Sequence, residues 1–178
     1  MPTIVLDRDG VINHDSDAYI KSPSEWVAIP GSLSAMGDLY RAGYDLAIAT
    51  NQSGLGRGLF DLPALEAIHE KLRKELHAHD AIVSVIAFCP HHPDAQCSCR
   101  KPQTGLLTAI HAQLPIDSDS TWFVGDTAKD LECAQRMGIR GALVRTGKGA
   151  QTETALVSRE TRAVFDDLRA FTDWLLAY

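Results

Sequence analysis

The stretch Thr3-Ile4-Val5-Leu6-Asp7-Arg8-Asp9-Gly10, near the start of the 178-residue chain, decides the expected fold. It begins with an apolar run rich in β-branched residues, which is typical of a parallel strand covered on both faces. The run stops at two carboxylates, Asp7 and Asp9, with a glycine beside them. Ligands of open α/β sheets gather at the carboxyl ends of the strands. The stretch therefore places two acids where chemistry is expected.

Strands and helices alternate along the rest of the chain. Further strands are predicted over 44–49, 81–88, 121–124 and 141–144, helices over 33–42, 62–76, 106–114, 128–137 and 165–175, and a loose segment over 147–160. This alternation predicts a central parallel sheet with right-handed crossovers and helices on both faces. We expect an α/β fold with one Rossmann-like domain that spans residues 1–178.

Composition limits the classes of partner. A hydrophobic fraction of 45% is enough for a sizeable core, and a formal charge of −6 without a basic stripe argues against a nucleic-acid-binding protein. The chain shows neither the basic and apolar start of a signal peptide nor the apolar run of about 18 residues that a membrane span requires. We therefore predict a cytoplasmic protein with no membrane and no nucleic-acid partner.

Polar and charged side chains follow the predicted strands. They are Asp7 and Asp9 after the first, Thr50 and Asn51 after the second, Arg100 and Lys101 in the loop after the third, and Asp126 and Asp130 after the fourth. Because the carboxyl ends of parallel strands share one edge of the sheet, we expect these groups to form one pocket. Carboxylate oxygens suit Mg²⁺, which keeps phosphate oxygens among its ligands, and a lysine suits phosphoryl oxygens. The set predicts a magnesium-assisted phosphate site.

A second cluster of candidate ligands lies in the loop Cys89-Pro90-His91-His92-Pro93-Asp94-Ala95-Gln96-Cys97-Ser98-Cys99. Thiolates and an imidazole in this number suit tetrahedral Zn²⁺, and four protein ligands leave no open position for substrate. The predicted ligands of this structural zinc ion are Cys89, His91, Cys97 and Cys99, with His92 as the alternative to His91. The ion would order a loop that has little apolar content, and the loop would present the two cations that follow it.

These motifs resemble those of a known enzyme family. Asp7-Arg8-Asp9-Gly10, Thr50-Asn51-Gln52-Ser53-Gly54, Lys101 and Gly125-Asp126 with Asp130 resemble, in order, the four motifs of the haloacid dehalogenase-like phosphatases. The cysteine loop narrows the resemblance to the subgroup that includes histidinol-phosphatase domains. The resemblance covers roughly residues 3–148, without an insertion long enough for a large cap domain after the first or second motif. We therefore expect an open pocket that is shaped by loops.

The resemblance implies a role for each catalytic residue. Asp7 would be the nucleophile, which forms an aspartyl-phosphate, and Asp9 would be the general acid and base. Because that role needs a protonated Asp9, we expect the pKa of Asp9 to lie above its ordinary value of about 3.9. Thr50, Asn51 and Lys101 would hold phosphoryl oxygens, and Asp7, Asp126 and the main-chain carbonyl of Asp9 would bind Mg²⁺. Asp130 would either order a metal-bound water or serve the start of its helix.

The resemblance also implies a substrate, D-glycero-D-manno-heptose 1,7-bisphosphate, whose 7-phosphate would be removed in the synthesis of nucleotide-activated heptose for lipopolysaccharide. The expected substrate contacts are Asp15, Ser16, Asp17 and Ala18 over the end of the first strand, Thr50, Asn51, Gln52 and Ser53 after the second, Arg100 and Lys101 after the cysteine loop, and Thr127. Arg100 would hold the second phosphate or sugar hydroxyls with its fork of donors. Thr127 stands where some relatives have a lysine, and a helix N-terminal N–H is expected to replace part of that contact.

Three alternatives stay open at this level. Histidinol phosphate is the alternative substrate, since the sister group shares the acid pair and the cysteine loop. A non-catalytic zinc-loop interaction module on the same fold is an alternative of a different class. A phosphoryl transferase is the third, and the lack of a large cap to exclude water argues against it. The chain is expected to be a monomer, with a small phosphorylated sugar as its partner.

Overall fold

The computed structural model describes residues 1–156 and 163–177. Its strands are β1 (Thr3–Leu6), β2 (Asp45–Asn51), β3 (Val85–Cys89), β4 (Trp122–Gly125), β5 (Arg140–Val144) and β6 (Ala163–Phe165). Its helices are α1 (Ser32–Arg41), α2 (Ser53–Gly56), α3 (Leu62–His77), α4 (Gly105–His111), α5 (Ala128–Met137), α6 (Gly149–Ala155) and α7 (Leu168–Leu176). A 3₁₀ turn, Pro93–Ala95, lies in the cysteine loop.

The strands form one parallel sheet in the order β3-β2-β1-β4-β5-β6. This is the strand order of the Rossmann fold, in which the chain builds outward from β1 and then places β4 on the other side of it. The point where the order reverses, between β1 and β4, is where such sheets bind their ligands. The predicted α/β class and parallel sheet are confirmed, and the sheet has one strand more than predicted.

Alternate strand residues face opposite sides of the sheet, and each side has its own core. Ile4 and Leu6 of β1 pack into a core with residues of α1, α3 and α7. Val5 packs into a second core with residues of α4 and α5. The apolar stripe of α3 is buried except at its first residue, Leu62, which is 50% exposed. The Asp61 side chain accepts a hydrogen bond from the Ala64 N–H (2.9 Å) at the start of that helix. Helices therefore cover both faces and leave the strand ends accessible.

The loop between β1 and α1 is fixed to the body of the protein. The Trp26 side chain is fully buried, and Lys71 of α3 donates hydrogen bonds to the carbonyls of Pro23 (2.9 Å) and Trp26 (2.7 Å). This anchoring holds the loop over the carboxyl end of β1. Across the described ranges, none of the helices combines the length and the apolar character that crossing a membrane requires.

The end of the chain differs from the prediction. Residues 149–155 of the predicted loose segment form α6, and residues 157–160 of that segment lie outside the described part. The prediction missed α6 because Gly149 is its buried residue, so the helix carries no apolar stripe. Phe165 lies in β6, paired with Val144, and not in the last helix. Asp167 begins that helix, since its side chain accepts a hydrogen bond from the Ala170 N–H (2.8 Å).

Two further boundaries were predicted wrongly. The strand predicted over 81–88 begins at Val85, because that is where pairing with β2 begins, opposite Ala47. The helix predicted over 106–114 ends at His111, and the chain continues in a turn to Pro115. Neither change moves a residue of the predicted pocket.

Candidate active site

The acids and the lysine that follow separate strands meet in one place. The Lys101 Nζ atom lies 2.9 Å from Asp7 Oδ1 and 2.7 Å from Asp130 Oδ1, and it donates a hydrogen bond to the Ala49 carbonyl (2.8 Å). One carboxylate oxygen from each of Asp7, Asp126 and Asp130 lies within 4.8 Å of the others. These distances confirm the predicted convergence. It arises because the acids and the lysine follow the ends of strands on the two sides of the switch point.

The environment of Asp7 and Asp126 fits a divalent cation. Burial raises the pKa of Asp7 well above its ordinary value, and Asp130 and Asp126 add to the rise while Lys101 opposes it. Burial, together with Asp130, raises the pKa of Asp126 to about 7. The Asp126 Oδ1 atom is buried and has no hydrogen-bond partner among the described residues. Buried carboxylates with a spare oxygen are hard ligands that a cation would keep ionised, so these residues fit Mg²⁺.

Asp130 serves both the start of α5 and the position of Lys101. Its Oδ2 atom accepts hydrogen bonds from the Thr127 N–H (3.0 Å) and the Thr127 hydroxyl (2.7 Å), which forms a capping box. Its Oδ1 atom faces the Lys101 ammonium. Both oxygens are therefore engaged by protein groups. Of the two roles left open by the sequence, the helix start is the one that the contacts support.

Asp9 is held by hydrogen bonds on both carboxylate oxygens. Its Oδ1 atom accepts from Arg8 Nη2 (3.0 Å) and Asn13 Nδ2 (2.8 Å), and its Oδ2 atom accepts from Gln52 Nε2 (2.9 Å). Burial alone would raise the pKa of Asp9, but the charge of Arg8 and these hydrogen bonds outweigh it and hold the pKa below its ordinary value. The predicted rise in this pKa is therefore wrong for the protein without substrate, because Arg8 stabilises the carboxylate.

A cavity of about 270 Å³ opens at this edge of the sheet. It is lined by Asp7, Asp9, Asp15, Ser16, Asp17, Tyr19, Ile20, Thr50, Asn51, Gln52, Ser53, Arg100, Lys101, Asp126, Thr127, Lys129 and Lys148. Of the predicted substrate contacts, Ala18 lies outside this lining: its N–H donates to the Ser16 hydroxyl (3.1 Å) and its side chain is exposed. The turn that directs its neighbours into the cavity directs Ala18 away from it.

Thr127 lines the cavity, but its main-chain N–H is already used. Asp130 of the same helical turn accepts that N–H, so it is not available to replace the lysine that some relatives have here. The expected contact from a helix N-terminal N–H is therefore not provided by Thr127 itself. Lys129, in the first turn of the same helix, also lines the cavity and offers a positive charge nearby.

Lys148 is the cavity residue that the sequence analysis missed most clearly. Its main-chain N–H donates to Asp126 Oδ2 (2.8 Å), which fixes the residue beside the proposed metal ligand. Its Nζ atom lies 3.5 Å from both Asp15 Oδ2 and Asp17 Oδ1 at the mouth of the cavity. The available signal was its place shortly after β5, at the same edge of the sheet as the other strand ends.

The glycines on both sides of Asp126 leave room for its carboxylate. Gly10 (φ 87°) and Gly147 (φ 57°) both adopt the left-handed conformation, and a Cβ atom at either position would clash with the Asp126 side chain. The Thr146 hydroxyl donates to the Gly10 carbonyl (2.7 Å) and so joins the two glycine turns. The loops after β1 and β5 therefore clamp the acid that follows β4.

The cysteine loop brings four ligand atoms together. His91 Nδ1 lies 3.2 Å from Cys99 Sγ and 3.6 Å from Cys89 Sγ, and Cys97 Sγ lies 3.6 Å from Cys89 Sγ and 3.5 Å from Cys99 Sγ. Ligands of tetrahedral zinc stand about 3.5–3.8 Å apart, given their usual bond lengths. The His92 Nδ1 atom instead accepts the Asp94 N–H (3.2 Å). The geometry thus fits zinc and favours His91 over His92 as the fourth ligand.

Comparisons with known proteins agree with the site. Residues 98–171 match the HAD-hydrolase-like family model. The chain is 49% identical to the D-glycero-β-D-manno-heptose-1,7-bisphosphate 7-phosphatase of Pseudomonas putida over 99% of this chain and 100% of that protein. It is 46% identical to the enzyme of the same name from Pseudomonas aeruginosa, over 97% of each chain.

A solved structure gives the same result. The crystal structure of D,D-heptose 1,7-bisphosphate phosphatase from B. bronchiseptica, in complex with magnesium and phosphate, superposes with a TM-score of 0.95 at 45% identity and covers 99% of both chains. Identity at this level over whole chains shows the family as well as the fold. The chain belongs to the D-glycero-β-D-manno-heptose-1,7-bisphosphate 7-phosphatases, within the haloacid dehalogenase-like hydrolases.

Proposed function

We propose that this chain is the Mg²⁺-dependent phosphatase that removes the 7-phosphate of D-glycero-β-D-manno-heptose 1,7-bisphosphate. The observation that carries the proposal is the contact of Lys101 with Asp7, beside Asp126, at the switch point of the sheet. Family membership supplies the substrate, since the relatives named above are heptose bisphosphate phosphatases. Histidinol phosphate, the alternative substrate, has no such support, and the intact acid set argues against a non-catalytic module.

Asp7 would act as the nucleophile. One of its carboxylate oxygens would form a bond to the phosphorus of the 7-phosphate while the bond from phosphorus to the sugar oxygen breaks, which leaves an aspartyl-phosphate. The Arg8 N–H donates to Asp7 Oδ1 (2.7 Å) and would keep the carboxylate in one orientation during the attack. When bound to Asp7, Asp126 and the main-chain carbonyl of Asp9, Mg²⁺ would supply positive charge that offsets the repulsion between carboxylate and phosphate.

Asp9 would give a proton to the leaving sugar oxygen and later take one from the hydrolytic water. Its low pKa in the free protein suits the second task directly, because an ionised carboxylate can accept that proton. The first task needs a protonated Asp9. A phosphate dianion that enters the cavity next to Asp9 would raise the pKa of the carboxyl, since like charges disfavour ionisation.

The transferred phosphoryl group would be held by Thr50, Asn51 and Lys101. Thr50 is buried, and its hydroxyl oxygen accepts a hydrogen bond from Gln52 Nε2 (2.9 Å), so its proton is free to point at a phosphoryl oxygen. The charge of Lys101 is secured by its acidic partners, which raise its pKa even though burial opposes this. Gln52 and Ser53 complete the lining on this side of the cavity.

The second phosphate and the sugar would lie toward the mouth of the cavity. Arg100 lines it, and its Nη1 atom is buried without a hydrogen-bond partner among the described residues. Lys148 stands at the mouth near Asp15 and Asp17, and Ser16 lies between those acids. We propose that Arg100 and Lys148 receive the 1-phosphate and that the loop of residues 15–17 contacts sugar hydroxyls.

Other properties follow as proposals from the same assignment. Cys89, His91, Cys97 and Cys99 would hold a structural zinc ion, and the reaction would serve the synthesis of nucleotide-activated heptose for lipopolysaccharide. The protein would act in the cytoplasm as a monomer, as one domain over residues 1–178.

The proposal is tested by phosphate release from heptose 1,7-bisphosphate and from histidinol phosphate, each with and without Mg²⁺. We expect turnover of the heptose substrate that requires Mg²⁺ and is abolished in Asp7→Asn, because the amide is not a nucleophile. A kcat/KM that favours histidinol phosphate by about a hundredfold would refute the substrate assignment and leave the reaction class intact. Full activity of Asp7→Asn would refute the mechanism.

A further inference from the structure

His69 of α3 lies beside the catalytic acid pair although no motif includes it. It is 1% exposed, and its Nε2 atom lies 3.3 Å from Arg8 Nη1. On another side its ring packs against Phe88, with the ring centroids 6.2 Å apart. A buried polar ring needs a hydrogen-bond partner, because burial without one is costly. The contact with Arg8 supplies that partner.

The direction of this hydrogen bond is fixed by chemistry. A guanidinium has five N–H donors and no acceptor, so Arg8 donates and His69 Nε2 accepts. His69 must therefore be neutral, with its proton on Nδ1. Burial lowers the pKa of His69 to about 3, and the charges of Arg8 and Arg73 contribute to the fall, which agrees with a neutral ring.

Arg8 transmits this contact to Asp9. The Arg8 side chain is fully buried, and its Nε and Nη2 atoms donate to Asp9 Oδ1 at 3.1 and 3.0 Å. These bonds use the edge of the guanidinium that faces Asp9, and His69 accepts from the remaining nitrogen, Nη1. Because the guanidinium is planar and rigid, a fixed acceptor at Nη1 also fixes the orientation of the edge that binds Asp9.

We propose that His69 is a positioning residue for the phosphatase reaction: as a neutral acceptor it fixes the Arg8 guanidinium, which in turn holds the Asp9 carboxylate. This inference rests on the proposed function, in which Asp9 handles the proton of the sugar oxygen and of the hydrolytic water. His69 touches neither substrate nor metal in this assignment. It acts through Arg8, at the turnover step and not at phosphate binding.

The test compares His69→Leu, which removes the acceptor, with His69→Gln, which keeps an acceptor oxygen on a side chain of similar reach. We expect His69→Leu to lower kcat by about tenfold or more, because acid–base catalysis by Asp9 is impaired. KM should stay within about twofold of wild type, because the groups that bind the substrate are unchanged. His69→Gln should recover most of the activity. The control is His77→Gln, an exposed histidine of the same helix, which should match wild type.

A second measurement separates positioning from packing. In an Asp9→Asn background the target of the positioning is gone, so adding His69→Leu should change the residual kcat by less than about twofold. Equal losses in His69→Leu and His69→Gln, or additive losses in the double variant, would mean that His69 only fills space. A wild-type kcat in His69→Leu would overturn the proposal as well.

The first link can be observed without turnover, by NMR. Nitrogen shifts of the His69 ring should show a neutral Nδ1–H tautomer from pH 5 to 8, and the Arg8 Nε–H signal should stay protected in wild type and His69→Gln but exchange faster in His69→Leu. A protonated His69 would overturn the proposal. Inactivity of the wild-type protein would instead contradict the proposed function, and the Arg8 signal would still report on His69.

Discussion

Asn51 and Lys101 are joined by two hydrogen bonds across a large gap in the chain. The Lys101 N–H donates to Asn51 Oδ1 (3.0 Å), and Asn51 Nδ2 donates to the Lys101 carbonyl (3.3 Å). The Asn51 side chain at the end of β2 thus binds the main chain of Lys101, which follows the cysteine loop. Placing Lys101 is therefore a task that the loop shares with the sheet.

Replacing Asn51 by Ala should release the main chain of Lys101 while leaving the N–H of residue 51 in place. We expect kcat to fall about tenfold or more, because the lysine loses its fixed position relative to the developing charge. Asn51→Asp keeps the acceptor and should lose less. Steady-state kinetics on the heptose bisphosphate measure both variants, and unchanged kcat in Asn51→Ala would show that the loop positions Lys101 alone.

Replacing Lys148 by Ala should harm bisphosphate substrates selectively. We expect kcat/KM for heptose 1,7-bisphosphate to fall about 10–100-fold, as is usual for the loss of a charge-assisted contact, with little change for a monophosphate ester such as p-nitrophenyl phosphate. Lys129→Ala removes the same charge from the lining of the same cavity and controls for a general loss of positive potential. An equal loss on both substrates would mean that Lys148 stabilises the loops around the cavity and does not bind the second phosphate.

Removing the proposed zinc ion should cost both stability and turnover. We expect Cys97→Ser to lose bound zinc, to lower Tm, and to lower kcat about tenfold or more because Lys101 and Arg100 follow directly on the loop. Metal analysis, thermal unfolding and kinetics give the three readouts. Cys133→Ala removes a buried thiol that lies outside the cluster and should keep its zinc. Full zinc content in Cys97→Ser would remove that cysteine from the ligand set.

His69 should make the folded protein less stable in acid. Its pKa is lowered from 6.5 to about 3 in the folded state. Between these two pH values the His69 imidazole is therefore protonated in the unfolded chain and neutral in the folded protein. The difference in proton binding by His69 has no effect on stability above about pH 6.5. Below that pH it lowers the free energy of unfolding by up to about 1.4 kcal/mol per pH unit.

Urea unfolding at pH 7 and pH 5 measures that effect. The loss of stability between the two pH values should be smaller in His69→Gln than in wild type, whereas His77→Gln, which changes an exposed histidine, should behave like wild type. The same loss in wild type and His69→Gln would contradict the assignment of this acid sensitivity to His69.

The sequence predicted the parts of the fold that carry strong local signals. The buried apolar run of β1 and the start of α3, which Asp61 caps, lie where they were expected, because burial periodicity and capping are local properties. It failed at α6, which has no apolar period, and at β6, where the last helix was predicted to start at Phe165 although Asp167 caps it. Those segments are defined by the strand that they contact, β5, and that contact is not visible in a local pattern.

The sequence predicted those features of the site that depend on the type of a residue and on its position after a strand. The convergence of Asp7, Lys101 and Asp126 followed from strand ends alone. The pKa of Asp9 could not be predicted, because it depends on how Arg8 folds back onto its neighbour and not on the identity of either residue. Lys148 was missed for a related reason: its approach to the cavity depends on the turn at Gly147.

Asp130 has a consequence for how the site tolerates change. One of its oxygens caps the first turn of α5, and the other faces Lys101. A single carboxylate therefore fixes both the start of a helix and the position of the catalytic ammonium. A one-residue insertion before α5 would shift both together, and the lysine would lose its counter-charge at the moment the helix lost its first turn. The spacing from β4 to this carboxylate is therefore constrained twice, once by the helix and once by the lysine.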